Sequence, residues 1–172
     1  QDRRGRGEAF RVGMRATSGD FVVFFSPDGN EDSADIPRLF AALADGADIA
    51  IASRFLAESR NEEDGAAVPL RKWVNMAFTR LANLIWNRSG PFVTDTINGY
   101  RGVRRDVFAD LQLESMGFTI EFEMCIRAMK RRRRIIEIPT SEGERIGGKT
   151  KAPSFRTGCR FVHLFFSEIF SR

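Results

Sequence analysis

Residues 21–30 constrain the fold most strongly, because an apolar run ends there in a turn that carries a carboxylate. Phe21-Val22-Val23-Phe24-Phe25 has no polar interruption, which is typical of a strand buried on both faces of a parallel sheet. Ser26-Pro27-Asp28-Gly29-Asn30 follows and is turn chemistry. Ligands of open α/β sheets bind beyond the carboxyl ends of the strands. Asp28 is therefore either a site residue or only a turn or helix-capping residue.

The rest of the chain alternates helical and strand patterns, which predicts an α/β fold. A strand is expected at 47–52 and another at 135–138, and 21–52 is typical of a βαβ unit. The first helix, 8–16, is predicted to turn Ala9, Val12 and Ala16 inward, and it leads directly into a buried strand. Because that order implies an earlier strand, we expect the chain to begin inside a domain. The long helix, 69–87, is predicted to bury one face, formed by Val74, Phe78, Leu81 and Ile85.

Composition narrows the class of partner. A chain of 172 residues fits one domain, and a net charge of +4 favours an anionic partner such as a phosphorylated small molecule, anionic lipid or nucleic acid. Nucleic acid ranks last, because most Phe residues lie in core patterns.

Cys125 and Cys159 show no metal or disulfide spacing and are predicted to be free core thiols. The single His163, with no nucleophile-elbow motif, argues against a Ser-His-Asp triad. No bilayer-spanning run or signal peptide is evident.

Three polar clusters are candidates for chemistry. Asp28 and Asn30 offer two oxygens that suit a hard divalent cation, if a bound diphosphate completes the shell. Arg54, together with Arg71 and Asn75 one helical turn apart, suits an anion near a helix start, although solvated charges are the alternative. Asp95 is either a turn cap or a site acid or base.

Two basic segments and the last helix complete the set. The Gly-rich loop from Arg145 to Lys151 suits phosphate but lacks the context of a Walker loop. The run from Lys130 to Arg134 fits a solvated edge, facing solvent or anionic lipid. Residues 154–172 are predicted to form an amphipathic helix, with Phe155, Cys159, Val162, Phe166 and Ile169 opposite Arg156, Arg160, His163 and Ser167. An interfacial helix, a core helix and a dimer contact all remain open for it.

Motifs in one order across nearly the whole chain resemble family 2 glycosyltransferases, closest to the dolichyl-phosphate mannosyltransferase group. The resemblance begins in Arg4 to Gly13 and in Ala16-Thr17-Ser18-Gly19-Asp20, and it includes Ser26 to Asn30 followed by Asp35-Ile36-Pro37, at the place of the Asp-x-Asp metal motif. The later matches are Ala52-Ser53-Arg54, Asp95 to Arg101, Gly117-Phe118 with Glu123, Glu137-Ile138-Pro139, and Arg145 to Lys151.

The resemblance implies a GT-A-like, Rossmann-like fold, with a mostly parallel sheet flanked by helices and without the usual N-terminal strands. It implies an inverting transfer of a sugar, mannose or glucose, from a nucleotide sugar to a polyprenyl or dolichyl phosphate at the cytoplasmic membrane face. Asp28 and Asn30 would bind Mg or Mn, and Asp28 and Asp95 are the expected catalytic residues. The expected substrate-binding residues are Arg54, Arg71, Asn75, Arg101, Glu123, Arg145 and Lys151.

Two departures from the family pattern shape these expectations. Ser26 replaces the first Asp of the metal motif, which weakens the cation site or gives more of the coordination to the diphosphate. Residues 1–172 are expected to be a partial catalytic domain without the N-terminal nucleotide-binding part, so the chain alone should bind donor poorly. The alternatives are a transferase acting on a glycan or another acceptor, and a catalytically degenerate binding domain.

Overall fold

The computed structural model describes residues 5–60, 70–143 and 154–171, with the backbone alone at 70, 71, 154 and 155. These residues form six helices and four strands. They are α1 (Arg6–Ala16), β1 (Phe21–Phe24), α2 (Asp35–Ala44), β2 (Ile49–Ser53), α3 (Leu70–Trp86), β3 (Arg101–Arg104), α4 (Arg105–Asp110), α5 (Ile120–Lys130), β4 (Ile135–Pro139) and α6 (Ser154–Phe170).

The strands form one mixed sheet in the order β1-β3-β2-β4. β2 and β4 are parallel, whereas β3 pairs antiparallel with both β1 and β2. β1, β2 and β4 therefore run in one direction, and β3 runs in the opposite direction. β3 lies between β1 and β2, the two strands of the predicted βαβ unit. The prediction of an α/β fold is confirmed, with helices on both faces of the sheet.

Successive side chains of β2 point to opposite faces of the sheet and pack into two separate hydrophobic cores. Ile49 and Ile51 face the larger cluster under α1, α3, α4, α5 and α6, whereas Ala50 and Ala52 face the smaller cluster under α2. Small residues on that side let α2 approach closely. At Gly102 in β3, an added Cβ would lie 2.8 Å from the Leu43 side chain, so a larger residue there would force the buried Leu43 side chain to move.

The prediction that 21–25 is the doubly buried strand is wrong. Among the residues of β1 only Val22 is buried, and β1 lies at an edge of the described sheet. Every residue of β2 is buried, because β2 lies between β3 and β4 with helices on both of its faces. The length of an apolar run indicated a strand correctly but not its position in the sheet.

The inner faces of two helices also differ from the prediction. In α1, Gly7, Phe10 and Met14 are buried instead of the alanines, because Phe10 stacks on Phe24 with ring centroids 3.8 Å apart. In α3, the buried positions are Thr79, Ala82, Asn83 and Trp86, whereas Val74 and Leu81 are exposed.

Polar α3 residues turn inward because they hold the chain before β3. Asn83 donates to the Val93 carbonyl at 2.8 Å and accepts from the Val93 amide at 2.9 Å. The Thr79 and Thr96 hydroxyls are 2.7 Å apart. Buried backbone groups need partners, and these side chains provide them.

The face of α6 is likewise shifted. Phe161, Phe165 and Glu168 are buried, whereas Cys159, Val162, Phe166 and Ile169 are exposed. Cys125 and Cys159 are both free thiols, but only Cys125 is a core residue, so the prediction for Cys159 is wrong in its placement. The basic run after α5 lies at an edge, where Arg133 pairs with Asp110 at 2.8 Å. No helix in the described part of the chain has the length and apolar content needed to cross a bilayer.

Candidate active site

The segments that follow β1, β2 and β4 meet at one edge of the sheet. The Gly143 amide, after β4, donates to the Asn30 carbonyl, after β1, at 2.8 Å. Glu142 lies 3.8 Å from the Arg54 guanidinium, after β2. The edge gathers the predicted residues Asp28, Asn30, Arg54 and Asp95, as expected for the carboxyl ends of strands that share a direction.

The turn after β1 is rich in oxygen ligands. Asn30 is buried, and its Oδ1 has no hydrogen-bond partner among the described residues. Glu31 folds back so that its Oε2 accepts from the Ser26 amide at 2.6 Å. Burial raises the pKa of Glu31 to about 7, with Glu142 and Asp28 adding to the rise and the Ser26 amide and Arg6 opposing it.

These residues suit a cation that brings other ligands with it. No three His, Cys, Asp or Glu side chains in the described ranges form a metal site by themselves. Asp28 adds a carboxylate, and the unpartnered Asn30 Oδ1 adds a buried amide oxygen. Hard cations such as Mg²⁺ and Mn²⁺ accept this donor set when phosphate oxygens and water supply the remaining positions.

A buried ion pair occupies the end of β2. Arg54 Nε is 2.7 Å from Asp95 Oδ2, and a second guanidinium nitrogen is 3.1 Å from Asp95 Oδ1. The Asp95 side chain is fully buried. Burial alone would raise the pKa of Asp95, but Arg54, its amide and the Asn98 amide together hold that pKa below its ordinary value. Asp95 is therefore a carboxylate whose oxygens are already used.

Glu137 supports this pair from β4. Its carboxylate accepts from the Thr94 amide at 2.7 Å, the Thr94 hydroxyl at 3.0 Å and the Asp95 amide at 2.8 Å. The Ser53 and Thr94 hydroxyls are 2.6 Å apart. Burial raises the pKa of Glu137, and the three hydrogen bonds oppose the rise. Asp95 is thus held from two strands at once.

Two residues predicted to bind substrate are internal. Arg101 is fully buried, and it donates to the carbonyls of Asn98 at 2.8 Å and Glu121 at 3.1 Å. The buried carboxylate of Glu123 accepts from the amides of Glu114 and Ser115, each at 2.8 Å. Their hydrogen bonds shape the loops before β3 and α5, so direct contact with substrate is not what this geometry supports.

The remaining predicted residues are placed in part. Asn75 is half-buried in α3, and Arg71 lies in the first turn of that helix with only its backbone described. Arg145 and Lys151 lie outside the described residues.

Sequence reasoning missed Glu31 and Glu142 and assigned no role to Glu137. The signals were present, because Glu31 directly follows the Asp28–Asn30 pair and Glu137 belongs to a quoted motif. Glu31 and Glu142 lie in the segments that follow β1 and β4, and carboxylates in such segments are candidate site residues.

A family model and the related proteins both match this chain to glycosyltransferases. The family model "Glycosyl transferase family 2" matches residues 1–111. Glycosyltransferase AglJ of Haloferax volcanii is 27% identical over the whole chain, which spans 54% of that relative. An undecaprenyl-phosphate mannosyltransferase of Micrococcus luteus is 28% identical over 86% of the chain and 60% of its own length.

A solved structure agrees on the fold. Glucosyl-3-phosphoglycerate synthase of Mycobacterium tuberculosis, in complex with Mn²⁺, uridine diphosphate and phosphoglyceric acid, superposes with a TM-score of 0.71 at 18% identity. The match covers 99% of this chain and 56% of that one. The chain thus spans little more than half of this neighbour and of the archaeal relative.

Proposed function

Because the chain belongs to glycosyltransferase family 2, we propose that it is part of the catalytic domain of an inverting transferase. The donor is a nucleotide sugar that carries mannose or glucose, and the acceptor is a polyprenyl or dolichyl phosphate at the cytoplasmic membrane face. The observation that carries the proposal is the sheet edge, where an oxygen-rich turn at Asp28 and Asn30 lies beside an arginine anchored by Asp95.

The donor side of the site is the turn after β1. Asp28 and Asn30 would hold the divalent cation, Mg or Mn, between the protein and the donor diphosphate. When bound, such a cation would neutralise the charge that develops on the leaving nucleoside diphosphate. Support comes from the buried Asn30 Oδ1, which has no hydrogen-bond partner among the described residues, and from the fold neighbour that was solved with Mn²⁺ and uridine diphosphate.

The acceptor side would use the cationic residues. Arg71, Asn75, Arg145 and Lys151 are proposed to bind the acceptor phosphate, with Arg54 beside them. A phosphate acceptor is already ionised, so positioning rather than proton removal supplies much of the rate. A buried Asp95 with a lowered pKa fits this chemistry, since it orients Arg54 and does not need to accept a proton.

Calorimetry on the protein at its full length tests the donor side. GDP-mannose and UDP-glucose would each be titrated with and without Mn²⁺ into wild type, Asp28→Ala and Asn30→Ala. The matched control is Asp20→Ala, an exposed carboxylate before β1 at the opposite end of the same strand. We expect Mn²⁺-dependent binding of one donor, lost in the first two variants and retained in the control.

Product analysis tests the acceptor side. Labelled donor would be offered with dolichyl phosphate, undecaprenyl phosphate and 3-phosphoglycerate. Label in the organic phase supports the lipid acceptor, and label only in the small phosphorylated acid overturns it. If no donor from a wider panel binds the folded protein, the degenerate binding domain replaces the transferase.

A further inference from the structure

A concave cleft lies between α6 and the segment that leads into α5. Its volume is about 580 Å³, which is within the range of sites that hold small molecules. One wall is formed by residues 114–119 with the start of α1, and the other by the face of α6 that carries Arg160, His163 and Ser167. Of the described residues predicted to form the sheet-edge site, only Glu123 borders this cleft. The cleft is therefore a separate feature of the molecule.

Most of the charge in the cleft is already paired inside the protein. The buried carboxylate of Glu123 lies 3.0 Å from the Arg127 guanidinium, which also lies 3.5 Å from the Glu114 carboxylate. Arg6 pairs with Glu121. Both carboxylates that line the cleft thus have a cationic neighbour, so the cleft does not favour a cation as its ligand.

Two side chains of α6 are the exception. Arg160 and His163 are exposed, and neither has a hydrogen-bond or ion-pair partner among the described residues. Because they lie three residues apart in a helix, they face the same side of it, and both line the cleft. The side chains that remain open to a ligand are therefore a guanidinium, which can only donate hydrogen bonds, and an imidazole.

Arg160 reaches across the cleft to the turn before α5. A Cβ added at Gly117 would lie 3.5 Å from Arg160 Nη1. In the same turn the Ser115 hydroxyl accepts from the Thr119 hydroxyl at 3.1 Å, which leaves the Ser115 proton for a ligand. No side chain caps the start of α5, and the field of that helix end also favours an anion. Hydrogen-bond donors from both walls therefore converge near Gly117.

We propose that this cleft binds the phosphate group of a small organic phosphate. Arg160 offers a planar pair of donors that matches phosphate geometry. A carboxylate would use that pair alone, whereas the three acceptor oxygens of a phosphate monoester can also reach Ser115 and His163. Apolar residues in the lining would contact the organic part of the ligand. They are Met116, Phe118 and Leu164.

NMR of His163 tests the proposal without sugar donor or lipid acceptor. In the protein at its full length, the imidazole signal of this residue is identified as the one absent from His163→Gln. Phenyl phosphate, inorganic phosphate and benzoate would each be titrated at pH 8, where both phosphates are mainly dianions. We expect phenyl phosphate to shift the signal saturably, inorganic phosphate to bind more weakly because it lacks the ring, and benzoate to bind most weakly.

Substitutions of Arg160 test the contact itself. Arg160→Gln should weaken phenyl phosphate binding about tenfold or more, as expected for loss of a hydrogen bond to a charged group. Arg160→Lys should retain part of the affinity, because it keeps the charge but not the planar fork. The matched control is Arg80→Gln, an exposed arginine of α3 outside the cleft, which removes the same charge and should bind as wild type. Circular dichroism melts verify that each variant is folded.

The outcomes separate this cleft from other sites and other ligands. An unmoved His163 signal at millimolar phenyl phosphate overturns the proposal, and ligand bound at the sheet edge would give that result. Equal affinities of wild type and Arg160→Gln, or an equal loss in Arg80→Gln, also overturn it. Benzoate that binds as tightly as phenyl phosphate overturns the assignment to phosphate. Failure of sugar-donor binding in calorimetry leaves these results unchanged, so the two hypotheses fail separately.

Discussion

The two polar regions at the sheet edge are built on opposite principles. Around Arg54, Asp95 and Glu137, each carboxylate has protein donors within hydrogen-bond distance. In the turn at Asn30 and Glu31, a buried amide oxygen lacks a partner among the described residues, and burial raises the pKa of the Glu31 carboxyl to about 7. A cluster whose polar groups all have hydrogen-bond partners within the protein, here called self-satisfied, holds a fixed geometry. A cluster with a buried polar group that lacks a partner can accept hydrogen bonds or coordination from a ligand. We therefore propose different roles for the two predicted catalytic residues: Asp95 would organise the sheet edge, and the turn that carries Asp28 would receive the ligand.

The largest expected loss of stability comes from a substitution that breaks the self-satisfied cluster. Asp95→Asn leaves Arg54 without its buried counter-ion. We expect a loss of about 3 kcal/mol in the free energy of unfolding, at the low end of the range for breaking a buried pair, because Glu142 still approaches Arg54 to 3.8 Å. Urea unfolding at neutral pH measures it.

The control for this variant is the same substitution in an exposed pair. Asp106 is 2.9 Å from Arg104, close to the distance of the buried pair, but at the surface. Asp106→Asn should cost less than about 1 kcal/mol, as exposed ion pairs do. Equal losses in the two variants would show that burial does not distinguish the Asp95 cluster.

A smaller loss is expected from the support under that cluster. Glu137→Gln replaces one acceptor oxygen by an amide donor, which then faces the amides of Thr94 or Asp95. An unsatisfied buried group costs about 1–3 kcal/mol, so the free energy of unfolding should fall by that amount. Glu114→Gln, an exposed carboxylate, should leave unfolding unchanged. An unchanged urea midpoint in Glu137→Gln would mean that the turn at 94–95 does not depend on its hydrogen bonds to Glu137.

Local signals in the sequence predicted much of this contrast. The apolar run followed by turn chemistry located Asp28 and Asn30, and the ordered motifs predicted the family and the GT-A-like fold. These inferences depend on neighbours in the chain, where propensity and turn chemistry decide.

Long-range partners account for what was missed. The spacing of apolar residues predicted that Val74 and Leu81 face inward, but the loop at Val93 and Thr96 is held by hydrogen bonds with Asn83 and Thr79. The need to pair buried backbone groups therefore overrode the apolar pattern of α3. Likewise, the insertion of β3 between β1 and β2 depends on strand pairing that no local pattern encodes.

The sharpest test of the comparison is its pH dependence. The native state holds a proton on Glu31 up to a pKa of about 7, whereas the unfolded chain releases it near 4.5. Rising pH in this window therefore favours unfolding. Asp95 has the opposite sign: its native pKa is lowered, so its contribution is present above its ordinary pKa and is lost as pH falls through the native value.

Glu31→Gln isolates the first of these two contributions. We expect wild type to lose stability relative to Glu31→Gln between pH 5 and 8, measured as the difference in urea midpoints of the two proteins. Other carboxylates titrate equally in both proteins and cancel, so the slope of the difference reports Glu31 and its surroundings, Ser26, Arg6, Asp28 and Glu142. Added Mn²⁺ should flatten this slope if a bound cation stabilises the ionised carboxylate. A difference independent of pH would place Glu31 among the ordinary surface carboxylates, and the turn would then lose its distinction from the Asp95 cluster.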